Sequence, residues 1–175
     1  MSVSAVVVSH GHASELEALL PRLAPQVDEL LINANRNPEA YARFGHRVVA
    51  DEIPGFAGPL AGFERGLTHA TGDLVVTVPC DSPFLPHDLV ARLAGGVAAA
   101  VVQLAVARTF DQPHPVFALV RRDVRAHLEA FLAGGGRKID AWYATLAIVE
   151  VAFDDEADAF RNINTRDELA AAGDP

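Results

Sequence analysis

The stretch that most clearly suggests chemistry is 79–83 (PCDSP), in which Asp81 is the single carboxylate. The β-branched, apolar run 74–78 before it predicts a buried strand, which ends at the proline because proline has no N–H to donate. A side chain just past such a strand lies where open α/β sheets bind ligands. Asp81, with Ser82 beside it, could hold a divalent cation against a phosphate; a simple turn cap is the alternative.

Other polar side chains come at the ends of further predicted strands, and a whole set on one rim is hard to assign to turns alone. They are Asn33, Asn35 and Arg36 after the second strand, Asp51 after the third, His114 before the sixth, and Asn162 and Asn164 after the last. The segment 58–62 (GPLAG) enters a helix behind small residues. A ligand anion could approach the helix N–H groups there, although a plain helix start with proline at its first position is the alternative.

Two other chemistries fit the sequence less well. Cys80 follows a proline at the end of a buried strand, with no histidine near it in sequence, which predicts a packed thiol rather than a nucleophile. The pair His10 and His12 could join Asp81 and a further histidine at a zinc ion, but the pattern is too short to be specific. That further histidine, His114, could instead donate to a phosphate or simply pack.

The elements that must position these residues alternate between strand-like and helix-like runs. Strands are predicted at 3–8, 29–32, 47–50, 74–78, 98–107, 115–120 and 148–152, and helices at 14–23, 59–70, 86–93, 123–132, 139–146 and 165–171. This alternation predicts one α/β domain over 1–175, with a mostly parallel sheet covered by helices on both faces. Capping-box patterns mark the first helix, at Ser14 and Glu17, and the last, at Thr165 and Glu168.

Composition limits the class of protein. The 175 residues are 50% hydrophobic and 21% charged, which is typical of a globular chain of one domain. The net charge of -9 argues against a nucleic-acid-coating surface but does not exclude a small nucleotide ligand. With a single cysteine and no run that indicates a signal peptide or a membrane span, we expect a cytoplasmic protein without a membrane partner.

In their order along the chain, the motifs resemble those of the molybdenum cofactor guanylyltransferases, from about Leu30 onward. The segments that carry the resemblance are Asn33-Ala-Asn-Arg36, Asp51, Gly58-Pro-Leu-Ala-Gly62, Pro79-Cys-Asp-Ser-Pro83, His114-Pro115 and Phe160-Arg-Asn-Ile-Asn-Thr165. The resemblance implies a Rossmann-like nucleotidyltransferase fold of the GT-A type. It implies a Mg²⁺-dependent transfer of GMP from GTP to molybdopterin with release of pyrophosphate. Its partners would be these small molecules and, as a further option, a molybdoenzyme or its chaperone.

The resemblance also implies roles for single residues. Asp81 would be the magnesium ligand and the catalytic residue. The nucleotide pocket would be lined, besides Asp81, by Asn33, Asp51, Gly58, Pro59, Leu60 and Gly62, and the pterin side by His114, Asn162 and Asn164. From charge and glycine content alone, segment 134–138 is a candidate lid over the pterin phosphate, with Arg137 and Lys138 as its cations.

The sequence departs from the family in the connection after its first strand. The family carries there a glycine-rich loop that ends in basic residues, whose N–H groups and cations cradle a triphosphate. Here the strand is followed by Ser9-His-Gly-His-Ala-Ser14 and at once by a helix, so roughly twenty residues of that loop are missing. No lysine occurs before Lys138.

Because of this missing loop, the sequence leaves enzymatic activity open between three functions. The first is a guanylyltransferase with an altered phosphate grip. The second is a non-catalytic nucleotide- or pterin-binding relative in molybdoenzyme maturation. The third is a nucleotide-sugar glycosyltransferase, because the start 5–12 (AVVVSHGH) resembles such enzymes, although no Asp-X-Asp motif lies near Asp81.

Overall fold

A computed structural model describes residues 1–9, 13–52 and 58–172. The strands are β1 (Val3–Val8), β2 (Glu29–Asn33), β3 (Arg47–Val49), β4 (Leu74–Pro79), β5 (Leu104–Thr109), β6 (Gln112–Arg121) and β7 (Ile148–Ala152). The α-helices are α1 (Leu16–Leu23), α2 (Pro38–Ala42), α3 (Pro59–His69), α4 (Leu89–Gly96), α5 (Arg125–Ala133), α6 (Ile139–Tyr143) and α7 (Arg166–Ala172). Within the described ranges, no helix combines the length and the apolar character needed to cross a membrane.

The strands form one seven-stranded sheet in the order β3-β2-β1-β4-β6-β5-β7. Only β6 runs against its neighbours, while the other pairs are parallel. The carboxyl ends of β1 to β4 therefore meet at one edge, which we call the rim. Because β6 is antiparallel to β4, with Thr77 opposite Ala118 and Leu74 opposite Arg121, the start of β6 also lies at the rim.

Helices cover both faces of the sheet, as the sequence predicted. Successive residues of β1 point to opposite faces, so that Val7 packs in the core under α1 and α4, while Val6 packs in the core under α3, α5 and α6. The helix α3 approaches β1 closely because it carries Gly62 and Gly66. A Cβ added at Gly66 would lie 2.4 Å from Cγ2 of Val6. Close packing thus fixes the start of α3 against the end of β1 at the rim.

The predicted capping box of the first helix is wrong. Helix α1 begins at Leu16, and its cap residue Glu15 has helical backbone angles and no side-chain cap, whereas a capping side chain needs an extended backbone. Ser14 Oγ donates to the Glu15 carboxylate instead, and Glu17 pairs with Arg43 at 2.9 Å.

The capping box of the last helix is confirmed in its main hydrogen bond. Thr165 Oγ1 accepts from the N–H of Glu168 at 3.0 Å. The Glu168 carboxylate reaches one residue further back than the pattern predicted and accepts from the N–H of Asn164 at 2.7 Å.

The long strand predicted over 98–107 is also wrong in its first half. Residues 98–102 form turns, and β5 begins only at Leu104. Arg121 holds this turn, since its guanidinium donates to the carbonyl oxygens of Val97 and Val102 at 2.6 and 2.8 Å. This contact joins positions far apart in sequence, which a local apolar pattern does not report. The short helix α2 was not predicted either.

Candidate active site

A cleft of about 310 Å³ opens at the rim beside the end of β4. Its walls come from the ends of β1 and β4, the start of β6, the first turn of α3 and the segment that follows β7. Among the lining residues are Val8, Pro59, Asp81, His114, Phe160 and Asn162. The structure therefore brings together four candidate site residues. Asp81 and Pro59 were predicted for the nucleotide side, and His114 and Asn162 for the pterin side.

Asp81 lies in the turn after β4 and is half-buried. Its backbone carbonyl accepts a hydrogen bond from the N–H of Ile163 at 2.6 Å. Among the described residues, no donor is hydrogen-bonded to its carboxylate. The described part of the chain also holds no group of three or more histidine, cysteine, aspartate or glutamate side chains that could bind a metal.

The donor chemistry at Asp81 fits a magnesium ion better than a fully protein-bound metal. Mg²⁺ is often held by one or two carboxylates, with phosphate oxygens of the substrate and water as its other ligands. A single open carboxylate in a cleft matches that pattern. The alternative zinc site would need His10 and His12, which lie outside the described residues.

Ser82 is turned away from the cation position that the sequence predicted for it. The side chain is fully buried, and its hydroxyl donates to Oδ1 of Asn162 at 3.3 Å. Together with the backbone hydrogen bond from Ile163 to Asp81, this contact joins the segment after β7 to the turn after β4. Asn162 is thereby held beside Asp81. Asn164 instead lines a neighbouring pocket together with Glu168.

His114 forms part of an aromatic wall of the cleft. Its ring stacks on Phe160 with centroids 4.8 Å apart and meets the edge of Phe117 at 6.2 Å. Its Nε2 lies 2.7 Å from Oγ1 of Thr109. Burial lowers the pKa of His114, so the imidazole is neutral at neutral pH and offers hydrogen bonds rather than charge.

A second groove of about 310 Å³ lies on the far side of this aromatic wall. It shares His114, Phe160 and Asn162 with the cleft at Asp81, and Thr109 and Arg161 line it as well. Phe160 and Thr109 could not be predicted as site residues from the positions of charged and amide side chains, because neither carries such a group.

A hydrogen-bonded group of Asn33, Asn35 and Asp51, which we call the β2–β3 network, occupies the rim at the ends of β2 and β3. Nδ2 of the buried Asn33 donates to Oδ1 of Asp51 at 2.9 Å, and Nδ2 of Asn35 donates to Oδ2 at 2.8 Å. The N–H of Asp51 donates back to Oδ1 of Asn35 at 2.7 Å. The carboxylate is thus fixed in orientation, and each oxygen keeps a lone pair for a ligand donor.

The start of α3 lies next to the β2–β3 network. Gly58 caps the helix with φ of +139°, a conformation in which any larger residue is strained. A Cβ added at Gly62 would lie 2.9 Å from Val8 and 3.0 Å from Oδ1 of Asn33. Glycine is therefore needed there for Asn33 to keep its place. Leu60 is fully buried in the core beneath this turn.

Arg137 and Lys138 follow α5 and do not line the cleft at Asp81. Arg137 donates from Nη1 to the carbonyl oxygens of Leu132 and Gly136 at 2.9 and 2.7 Å. The lid over a pterin phosphate stays a prediction.

The sequence and the fold are both similar to known proteins. Residues 6–147 match the family model of the MobA-like NTP transferase domain. The molybdenum cofactor guanylyltransferase of Cupriavidus taiwanensis is 50% identical over 167 residues, which cover 93% of this chain and 83% of that protein. The protein of the same name from Shewanella sp. MR-4 is 47% identical over 150 residues, which cover 86% and 76%.

Solved structures share the fold at lower sequence identity. Molybdopterin-guanine dinucleotide biosynthesis protein A from Archaeoglobus fulgidus superposes with a TM-score of 0.75 at 22% identity, over 97% of this chain and 96% of that one. Glucosyl-3-phosphoglycerate synthase from Mycobacterium tuberculosis, in complex with Mn²⁺ and UDP-glucose, has a TM-score of 0.65 at 18% identity, over 97% and 74%. The predicted nucleotidyltransferase fold of the GT-A type is thus confirmed.

Proposed function

Since this chain belongs to the MobA-like NTP transferase family, together with the molybdenum cofactor guanylyltransferases, we propose that it transfers GMP from GTP to molybdopterin and releases pyrophosphate. The observation that carries the proposal is the pair of carboxylates on one rim. Asp51 is fixed by two amide side chains, and Asp81 opens into a cleft with an aromatic wall. The first suits a nucleotide base, and the second suits a metal-bound phosphate.

Asp51 would recognise the guanine base. Guanine presents two neighbouring N–H donors along one edge, and the Asp51 carboxylate has one lone pair left on each oxygen. Adenine presents an acceptor at the corresponding ring nitrogen, which would face a carboxylate unfavourably. Asn33 and Asn35 would orient the carboxylate, and the first turn of α3, from Gly58 to Gly62, would pack against the nucleotide.

Asp81 would hold Mg²⁺ against the triphosphate, where the ion would neutralise charge as pyrophosphate leaves. In the transfer, a terminal phosphate oxygen of molybdopterin attacks the α-phosphorus of GTP, and the bond from that phosphorus to pyrophosphate breaks. Such an in-line displacement depends on alignment and on charge stabilisation more than on covalent catalysis. The contribution of the chain is to hold both phosphate groups at one place on the rim.

The acceptor would lie against the wall formed by His114, Phe160 and Asn162. A neutral imidazole and an amide offer hydrogen bonds to a heterocyclic edge without placing a charge against it. Asn164 would contribute from the neighbouring pocket, and Arg137 and Lys138 would provide cations for the pterin phosphate. A molybdoenzyme or its chaperone would receive the product.

One observation supports a second candidate function, a nucleotide- or pterin-binding relative without transfer activity. The connection between β1 and α1 spans only 9–15, of which 10–12 lie outside the described residues. Ser9, directly after β1, is buried, and its hydroxyl lies 2.6 Å from that of Tyr41. This hydroxyl is therefore engaged within the fold and does not substitute for the donors of a phosphate-binding loop.

Pyrophosphate release separates these functions. Purified protein is mixed with GTP, Mg²⁺ and molybdopterin, and pyrophosphate and the dinucleotide product are measured. We expect release that depends on molybdopterin and is lost in Asp81→Ala. GTP binding without any release would overturn the transferase in favour of the binding relative. Turnover of a UDP- or GDP-sugar in place of GTP would instead indicate a glycosyltransferase.

A further inference from the structure

A second set of polar side chains joins α3 to both ends of β3. We call it the α3 brace, and it consists of Arg47, Glu52, Glu64, Arg65 and His69. Its centre is Arg65, whose side chain is only 7% exposed. Nε and Nη2 of Arg65 donate to the two carboxylate oxygens of Glu64, both at 2.7 Å, and Nη1 lies 2.8 Å from Oε1 of Glu52. The guanidinium thus contacts two carboxylates at once.

The brace continues from Arg65 to the start of β3. The ring of His69 lies between two guanidinium groups, with Nε2 3.3 Å from Nη1 of Arg65 and Nδ1 2.9 Å from Nη2 of Arg47. Arg47 is the first residue of β3, and Glu52 follows its end by three positions. Polar contacts from α3 therefore reach both the first residue of the edge strand β3 and the segment just after its end.

The pair of Glu64 and Arg65 is the buried part of the brace. Burial raises the pKa of Glu64, but hydrogen bonds from Arg65 and Thr68 outweigh this effect, so that the pKa lies below its usual value. The hydrogen bond with Glu64 in turn raises the pKa of Arg65. Both groups stay ionised at neutral pH. Because the pair is buried, removal of Arg65 would leave an uncompensated charge inside the protein.

Glu52 is the exposed part of the brace, and it directly follows Asp51 in the chain. Its side chain is 72% exposed, yet it reaches back to the buried Arg65. The strand β3 ends at Val49, so the segment 50–52 has no strand partner. The Asp51 carboxylate is held on one side by the amides of Asn33 and Asn35. The ion pair at Glu52 holds the backbone on the other side of Asp51.

We propose that Arg65 is a positioning residue for nucleotide recognition: its contact with Glu52 fixes segment 50–52 so that the Asp51 carboxylate faces the base. This inference rests on the proposed function, in which Asp51 binds guanine. Arg65 does not touch the nucleotide, and it acts through the backbone between Glu52 and Asp51. The consequence is specific to the base, since the phosphate end of the nucleotide lies at Asp81.

The test is the variant Glu52→Ala, which removes the contact without opening the buried pair. We expect the Kd for GTP to rise about two- to fivefold, which is what a part-exposed ion pair can supply. The Kd for inorganic triphosphate, which has no base, is expected to stay unchanged. The matched control is Glu17→Ala, because Glu17 of α1 is 62% exposed and pairs at 2.9 Å with Arg43, which follows α2. That variant is expected to bind GTP as the wild type does.

A second comparison tests whether Glu52 affects GTP binding through Asp51. If Glu52 acts through Asp51, the loss caused by Glu52→Ala disappears in an Asp51→Asn background, because the two changes are then not additive. Arg65→Lys is expected to reproduce the Glu52→Ala phenotype, since one ammonium does not span both carboxylates. Equal losses of GTP and triphosphate affinity in Glu52→Ala, or an unchanged GTP affinity, would overturn the positioning role.

The two proposals fail in different ways. If Asp51→Asn does not weaken GTP binding, the base site of the proposed function is wrong, and the role of Arg65 is wrong with it. If Asp51→Asn weakens GTP binding and Glu52→Ala does not, the base site stands and only the role of Arg65 is refuted.

Discussion

The two carboxylates on the rim, Asp51 and Asp81, differ in how the fold holds them. Asp51 has both oxygens hydrogen-bonded to amide side chains, which fix its orientation before any ligand arrives. The carboxylate of Asp81 is hydrogen-bonded to no donor in the described part of the chain. An oriented carboxylate recognises a fixed pattern of N–H donors, whereas an open one can turn its oxygens toward a cation.

The surroundings of the two carboxylates also differ in polarity. Asp51 lies among amides, and Asp81 lies in a cleft whose walls include Val8, Pro59 and Phe160. Apolar walls lower the local dielectric and strengthen the attraction between a carboxylate and a cation. This difference supports the proposal that the base binds after β3, at the edge of the sheet, and that the phosphates bind after β4, in its middle.

The largest expected effect is on the rate of GMP transfer, when Asp81 is changed. Asp81→Asn keeps the shape of the side chain but removes the charge that would hold the cation. Even outer-shell partners of a metal cost about 10- to 100-fold in activity when lost, so we expect the transfer rate to fall by at least about 100-fold. Pyrophosphate release at saturating GTP measures it. A rate within a few-fold of the wild type would show that Asp81 is only a turn residue.

A smaller effect is expected at the base end. Asp51→Ala would remove the two charge-assisted hydrogen bonds that we propose to the base, and it leaves the amides of Asn33 and Asn35 without their acceptor. One hydrogen bond to a charged group contributes about 1.5–3 kcal/mol. Because water can replace part of what the two lost hydrogen bonds supply, we expect a net loss of about one of them, and the Kd for GTP to rise about 10- to 100-fold. Because the metal end is untouched, kcat at saturating GTP should change little. A fall in kcat with an unchanged Kd for GTP would contradict the proposal that Asp51 acts in base binding and not at the phosphates.

Two glycines of α3 test whether close packing supports the β2–β3 network. Alanine at Gly62 or Gly66 places a Cβ within 3 Å of a β1 valine, and such overpacking costs about 1–3 kcal/mol of folding stability. Both variants should therefore melt at a lower temperature. Only Gly62→Ala also approaches the side chain of Asn33, so only that variant is expected to weaken GTP binding. Equal GTP affinity in the two would show that the network does not depend on α3.

The smallest expected effect is the pH dependence of the aromatic wall. Burial lowers the pKa of His114 in the folded state, so below the unfolded value of about 6.5 the unfolded chain binds more protons than the folded one. Stability should therefore fall as the pH drops through about 6.5 and level off below the folded pKa. Melting temperatures of the wild type and of His114→Gln, measured across this range, isolate the contribution. Parallel curves would show that His114 carries no such linkage.

The sequence predicted the elements of the sheet best where a buried strand is a run of mostly apolar, often β-branched residues, as in β1 and β4. It failed at residues 98–102, where an equally apolar run is held as a turn by Arg121 from a distant strand. The first capping box failed because a side-chain pattern does not establish the backbone angles at Glu15. Local patterns report local structure, and long-range hydrogen bonds override them.

The same limit applies to the candidate site. The positions of Asp81 and Asn162 after predicted strands were sufficient to bring them to one cleft, because parallel strands share a rim. His114 instead precedes its predicted strand, and it reaches the same cleft because β6 is antiparallel to β4, which the sequence did not predict. The contact of Arg65 with Glu52 could not be predicted in this way, since Arg65 lies within a helix and Glu52 in a loop. Phe160 lies at the site because its ring packs on that of His114. No pattern in a single sequence predicts such a contact between distant residues.

The central claim is that Asp81 holds Mg²⁺ against the phosphates of bound GTP. Calorimetric titration of GTP with and without Mg²⁺, into the wild type and into Asp81→Ala, tests it most directly. We expect Mg²⁺ to tighten GTP binding to the wild type. The variant should bind GTP as the wild type does without Mg²⁺ and gain nothing when the ion is added. No GTP binding to the wild type at about millimolar concentration, or an equal gain from Mg²⁺ in the variant, would contradict the account.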